Sequence, residues 1–334
     1  METNHHAPLT SSEISVLWGF YTKNSLALCM MRYFLEKVED PDIREVIQLA
    51  LNHQQKDLSV AEEVYHSEQM AIPVGFTDED VQPSAPRLFS DAFMLEYVRQ
   101  LAVVSIATSG AAIPFVTRSD VTKVCHTVLQ QGTELHEKAK ETLLSKGLYN
   151  RPPSIPAPNH VDFVEKQSFL AGFLRERRPL SAVEISHIFM NAQTNGMGKA
   201  LMMGFAQAAK DTKVKKFFVR GKEIAHKHME IFHSLLVEED LPSPKSWEDQ
   251  ITDSTVSPFS DKLMTFHTTT LIDSGIGNYG LATAASPRRD LGADYGRLML
   301  EVAQMAKDGA NLMIDNGWLE QPPPSPDREE LEKP

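Results

Sequence analysis

The chain writes the same outline twice, and this limits what it can fold into more than any other feature. "LTSSEIS" at 9–15 returns as "LSAVEIS" at 180–186, an offset of 171. "LFSD" (88–91) returns as "PFSD" (258–261), "TRSD" (117–120) as "PRRD" (287–290), and "GLYNRPP" (147–153) as "GWLEQPP" (317–323), each at an offset of 170. Four matches in one order at a near-constant spacing indicate a tandem duplication. The small slippage belongs in the loop after the second helix. The spacing predicts a first bundle over 9–150, a Pro-rich linker and amphipathic arm over 151–179, a second bundle over 180–318, and a disordered tail over 319–334. The linker is read from "NRPPSIPAPN" (150–159) and the arm from "VDFVEKQSFLAGFL" (161–174).

Within each copy apolar residues recur at helical spacing, and no strand alternation competes. Ile14, Leu17, Tyr21, Leu28 and Leu35 form one stripe over about 11–38. Ile43, Ile47, Leu51, Leu58, Ala61 and Tyr65 form another over 42–67, with Asp40-Pro41 as the break. Helix 3 is expected to start near Ser90 and helix 4 near Ser119 or Asp120, all N-cap residue types. The second copy repeats the plan at 181–210, 212–238, 260–285 and 289–316. The links run short, long, short, and one longer than twenty residues can travel the length of a helix. The expected fold class is therefore all-α, with two tandem ferritin-like four-helix bundles and a long crossover between helices 2 and 3 of each.

The doubled plan, with "FVEKQSFLAGFL" (163–174), "RPLSAVEISHIF" (178–189), "NYGLATAASPRRDL" (278–291) and "GWLEQPP", resembles an uncharacterised bacterial domain-of-unknown-function family. Members occur typically in spore-formers, often carry the domain in tandem, and are described as ferritin-like bundles distantly similar to spore-coat proteins. The resemblance implies a fold and a spore-associated setting. It brings no reaction and no catalytic residues.

A formal charge of −12 argues against nucleic acid or an anionic membrane as partner, because both need basic patches. Cys29 and Cys125 alone give no disulfide framework, so a reducing, cytoplasmic setting is expected. "METNHHAPLTSSE" lacks the regions of a signal peptide. The apolar run "LAVVSIATSGAAIPFV" (101–116) contains Pro114 and hydroxyl residues and reads as a buried helix rather than a membrane span.

"KEIAHKHMEIFH" (222–233) contains Glu-x-x-His, the spacing with which helical bundles chelate paired iron or manganese. At about 100° per residue, Phe217, Ile224, Ala225, Phe232, Leu235 and Leu236 define the apolar face of this helix. Glu223, His226, Glu230 and His233 fall roughly 130–150° away from it, on the expected solvent side. In the first copy Asn52 and Gln55 replace Glu223 and His226. A metal reading, with iron, manganese or zinc, would draw on Glu184, His228, Glu223 and His226.

The same projection turns some polar residues inward. Counting from the tight turns places Asn24, Asp57 and Thr108 at one level in the first copy. Asn195, His228 and Asn278 share the matching level in the second. Glu13, Glu184, His136 and His267 are further polar residues on apolar faces. Buried polar groups must be hydrogen-bonded, so these layers read as register-fixing networks or as a ligand pocket. Helix 3 of the second copy, "LIDSGIGNYGLATAAS" (271–286), is rich in glycine, which costs roughly 1 kcal/mol each relative to alanine and points to close helix packing, or else to a ligand lying along the groove.

The leading expectation is a non-catalytic structural or interaction protein with a protein partner or self-association. The alternatives are a metal-dependent oxidase-like protein and a carrier of a small apolar ligand.

Overall fold

The computed structural model describes residues 7–172 and 177–332 and carries eight long helices where the apolar stripes place them. They are α1 (Ser11–Lys37), α2 (Pro41–Ser67), α3 (Asp91–Ala112), α4 (Ser119–Ser145), α5 (Ala182–Ala208), α6 (Thr212–Val237), α7 (Asp261–Ala285) and α8 (Arg289–Asp315). A single turn, α9 (Arg328–Leu331), lies in the tail. Among the described residues the β-type pairing is one isolated antiparallel bridge, Phe89 with Ile251. The local signals behave as their chemistry requires. Asp40 caps α2 ahead of Pro41, Ser90 and Ser260 accept N–H groups in the first turns of α3 and α7, and Gly147 and Gly317 take positive φ just past α4 and α8.

The arm is the exception. It forms only the short 3-10 turn Gln167–Leu170, and Val161, Phe163 and Val164 stand exposed. Its last two positions, 173 and 174, lie outside the described residues. Phe169 is held instead under the Arg178 guanidinium, 4.1 Å from its ring centre.

The chain divides into two compact units. Unit 1 comprises Met1–Ser84, Met94–Ser145 and Trp318–Pro334; unit 2 comprises Ala85–Phe93 and Lys146–Gly317. In unit 2 the segment before α3 runs beside the connection between α6 and α7. The Ser90 N–H donates to the Gln250 carbonyl, the Thr252 N–H donates to the Leu88 carbonyl, and Phe93 packs edge-on to Trp247. In unit 1 the Glu320 carboxylate, from the tail, accepts the N–H groups of Val74 and Gly75.

The order of helices within a unit follows from which ends are tied together. In unit 1 the Glu13 carboxylate, on the first turn of α1, accepts the N–H groups of Thr117 and Arg118 at the start of α4, and also the Thr117 hydroxyl. Its other oxygen closes a capping box with Thr10. In unit 2 Glu184 does the same with Ser181 and the Arg288 N–H. Pro287 stands where Thr117 does and has no N–H to give, and Arg178 supplies two guanidinium donors instead. The first and fourth helices therefore start at the same end. Since short links make neighbours antiparallel, the second and third helices run parallel, and the link between them must return along the bundle.

The Arg of each repeat completes the junction. Arg118 pairs with Asp120 and Glu68; Arg288 pairs with Asp290 and Glu239. Three helix ends thus meet on one buried carboxylate and one guanidinium. Arg288 is only 2% exposed, so "PRRD" presents no free arginine pair for an anion.

By length and hydropathy Asp91–Phe115 resembles a membrane helix. In the structure it is the third rod of a bundle, but its burial lies at its start: residues 93–99 are buried and Glu96 pairs with Arg99, whereas in the run 101–116, expected to be a buried helix, only Ala102, Ser109, Ala112 and Val116 are.

The junction should govern acid stability. Burial opposes ionisation of both carboxyls, yet the converging donors outweigh it and bring Glu13 and Glu184 down to about 2 from an ordinary 4.5. A depressed folded value means that their stabilisation is complete above pH 4.5 and is lost as pH falls toward 2. Urea unfolding between pH 2 and 5 should show this loss. Glu184→Ala should cost about 3 kcal/mol or more at pH 7 by stranding Arg178 and the Arg288 N–H, and should flatten that acid limb.

Candidate functional site

All four helices of unit 2 contribute one polar side chain to a layer at mid-height. The Asn195 amide (α5) donates to the Tyr279 oxygen (α7) at 2.9 Å. The Tyr279 hydroxyl lies 2.9 Å from His228 Nδ1 (α6), and His228 Nε2 lies 3.1 Å from Glu301 Oε2 (α8). Glu301 continues outward to the Lys227 ammonium at 2.8 Å. His228 is fully buried, and burial lowers its pKa against the opposing pull of Glu301, so the imidazole is neutral. With a carboxylate facing Nε2, that nitrogen carries the proton and Nδ1 accepts from the tyrosine. Burial likewise raises the Tyr279 pKa. The chain Tyr279–His228–Glu301 joins a buried hydroxyl to a half-buried carboxylate, an arrangement able to pass a proton but with each member already engaged. Phe232 and Tyr295 wrap the layer, with ring centres 5.6–6.0 Å apart among themselves and Tyr279.

The sequence reading placed Asn195 and His228 in this layer and named Asn278 as the third member. Asn278 is half-buried one position away, and Tyr279 takes the place. One residue is a rotation of about 100°, and helix 3 has so many small residues that its apolar stripe barely fixes the phase. The same shift applies in unit 1. Thr108 turns back to its own helix, donating to the Val104 carbonyl, while Ser109 is fully buried. The fourth-helix members, Glu301 and its counterpart Gln131, are not among the residues that the helical projection turns inward.

The four metal candidates occupy three separate places. Glu184 is the junction carboxylate, and His228 belongs to the layer. Glu223 and His226 are exposed, with His226 3.1 Å from the Lys199 ammonium. Among the described residues no group of three or more His, Cys, Asp or Glu is positioned around a common ion. Glu13 is the other junction carboxylate. His136 is half-buried beside Glu137, rather than in the core. His267 is buried edge-on against Phe205, and burial brings it down to about 4. Its counterpart Tyr97 meets Phe34 in the same way.

Glycine in α7 has a different setting from the one expected. A Cβ at Gly275, Gly277 or Gly280 would meet no atom within 4 Å, so these residues face open space. Close packing falls instead at Gly221 and Gly309, where a Cβ would strike Met305 and Met202, or Thr269 and Phe217.

Unit 1 has the same layer with different chemistry. Asp57, Ser109 and Gln131 stand at the positions of His228, Tyr279 and Glu301, and all three are buried. Burial pushes the Asp57 carboxyl up to about 7. Asn24 is half-buried. Ala61, Ser109 and Cys125 replace the rings of Phe232, Tyr279 and Tyr295, while Phe20, Tyr21 and Tyr65 replace Asn191, Ala192 and Leu236. Tyr21 and Tyr65 meet edge-on at 6.0 Å. The aromatic volume has moved within the core rather than left it.

Tyr279→Phe, which strands one side of His228, should cost about 1–2 kcal/mol in urea unfolding. Because the neutral imidazole is the folded form, stability conferred at this site is complete above pH 6.5 and falls as the ring is forced to charge below it. His228→Gln should remove that slope between pH 6.5 and 5.

The DUF3231 family, described as a protein of unknown function, matches residues 1–161 and again residues 168–331. No curated protein matches the chain. Among solved structures, that of a "putative spore coat protein" from Bacillus halodurans C-125 is 21% identical with a TM-score of 0.39, and the match covers 47% of this chain and 98% of that one. The chain therefore belongs to the DUF3231 family and carries its domain in two successive copies.

Proposed function

We propose that the protein is a non-catalytic structural or interaction protein, acting through its surface on a protein partner or on copies of itself. The observation that supports this reading best is the closed polar layer of unit 2, whose groups are spent on one another. Apolar side chains meanwhile remain outside. Phe115, Leu281 and Leu300 are 68%, 64% and 76% exposed, and only 22% of the most apolar window of α3 is buried. A sporulation-linked setting accompanies this proposal through the sequence resemblance.

The rival is a metal-dependent oxidase with a site in one bundle, and metal analysis of untagged protein separates the two. The expected result is no stoichiometric iron, manganese or zinc. Stoichiometric metal lost in His228→Ala and kept in His226→Ala would replace the structural reading with the enzymatic one. The carrier reading is favoured by the open side of Gly275, Gly277 and Gly280, where a flat apolar chain could lie along α7. A fluorescent fatty acid that binds, and is displaced after Gly277→Leu, would support it. Failure of any such probe to bind would end it.

A further inference from the structure

The polar layer of unit 1 contains four buried oxygens that the protein's own side chains leave unsatisfied. Gln54 Oε1, Asp57 Oδ1, Ser109 Oγ and Gln131 Oε1 are all buried and have no hydrogen-bond partner in the structure. The four residues are 3%, 5%, 0% and 7% exposed. Their convergence follows from the repeat. In unit 2 the residue equivalent to Asp57 reaches both the equivalent of Ser109 and the equivalent of Gln131 through direct hydrogen bonds. Gln54 lies one turn before Asp57 on the same face of α2. Tyr279 is long enough to bridge its layer, whereas serine at the same position is not, which leaves the unit 1 oxygens without hydrogen-bond partners.

We propose that Gln54, Asp57, Ser109 and Gln131 form a binding site for a single monovalent cation, Na+ or K+. The donor set decides the class. The four unpartnered atoms are all oxygen, which suits a hard cation and not the softer metals that take imidazole or thiolate. Charge decides the valence. The set carries one negative charge, from Asp57, and the ammonium of the adjacent Lys56 is on the exposed side of α2. A monovalent ion leaves the buried site neutral, whereas a divalent one would leave a net positive charge in the core. One ion bridging four helical oxygens would tie α2, α3 and α4 together, as the tyrosine–histidine–glutamate chain ties their counterparts in unit 2.

The test is thermal unfolding of the full chain at pH 8 in NaCl, KCl or N-methyl-D-glucamine chloride at equal ionic strength. Na+ or K+ at ten times its dissociation constant should raise the Tm of the unit 1 transition by about 3 °C or more over N-methyl-D-glucamine. The salt that gives the larger rise identifies the preferred ion. Asp57→Asn should abolish the difference and, in N-methyl-D-glucamine, should melt above the native chain, because it removes an uncompensated buried charge. Gln131→Met, which keeps the charge, should reduce the ion-dependent rise without abolishing it. Equal Tm values for the native chain in the three salts would overturn the proposal, as would a rise of the same size in Asp57→Asn.

Discussion

The fold depends on a buried carboxylate at one end of each bundle. Glu13 and Glu184 are fully buried, and each satisfies its own helix start while accepting the N–H that opens the fourth helix. A buried charge without such donors would be prohibitively costly, so the carboxylate forces the chain to bring those donors to it. Fixing the first and fourth helices at one end makes the second and third parallel. It thereby requires the long returning link. The arginine of "TRSD" or "PRRD" extends the same node to the end of the second helix. One local polar requirement therefore sets the connectivity of four rods.

Around this node the two copies have diverged in a patterned way. The junction residues are retained or functionally replaced, as when Arg178 supplies the donors that Pro287 cannot. The mid-height layer is not retained. One copy has a hydrogen-bonded tyrosine, histidine and glutamate; the other has a serine, an aspartate and a glutamine whose oxygens lack partners. The core tolerates this because aromatic volume is redistributed between neighbouring positions, which keeps the packing dense on both sides.

How much of this is legible in the sequence depends on how strongly each stripe fixes its helix. Amphipathic α6 has charged and apolar residues on opposite sides, and reading its phase sends Glu223 and His226 outward and His228 inward. Helix 3 has small residues on every face, and there the phase slips by one position, from Tyr279 to Asn278 and from Ser109 to Thr108. The arm fails for another reason. Its apolar residues match a helix, but with no receiving surface along them Val161, Phe163 and Val164 gain nothing from forming one.

The sequence by itself determined the duplication, the eight helices, their caps and breaks, and the membership of most of their buried faces, because these follow from periodicity and from local hydrogen bonding within a few residues. Only the tertiary structure decided which polar groups meet. The bond from Glu13 to Arg118, the shared layer of Asn195, His228, Tyr279 and Glu301, and the unpartnered oxygens around Asp57 all join residues far apart in the chain. Such contacts depend on rotation and axial register between helices, to within a fraction of a turn, and no local pattern carries that information.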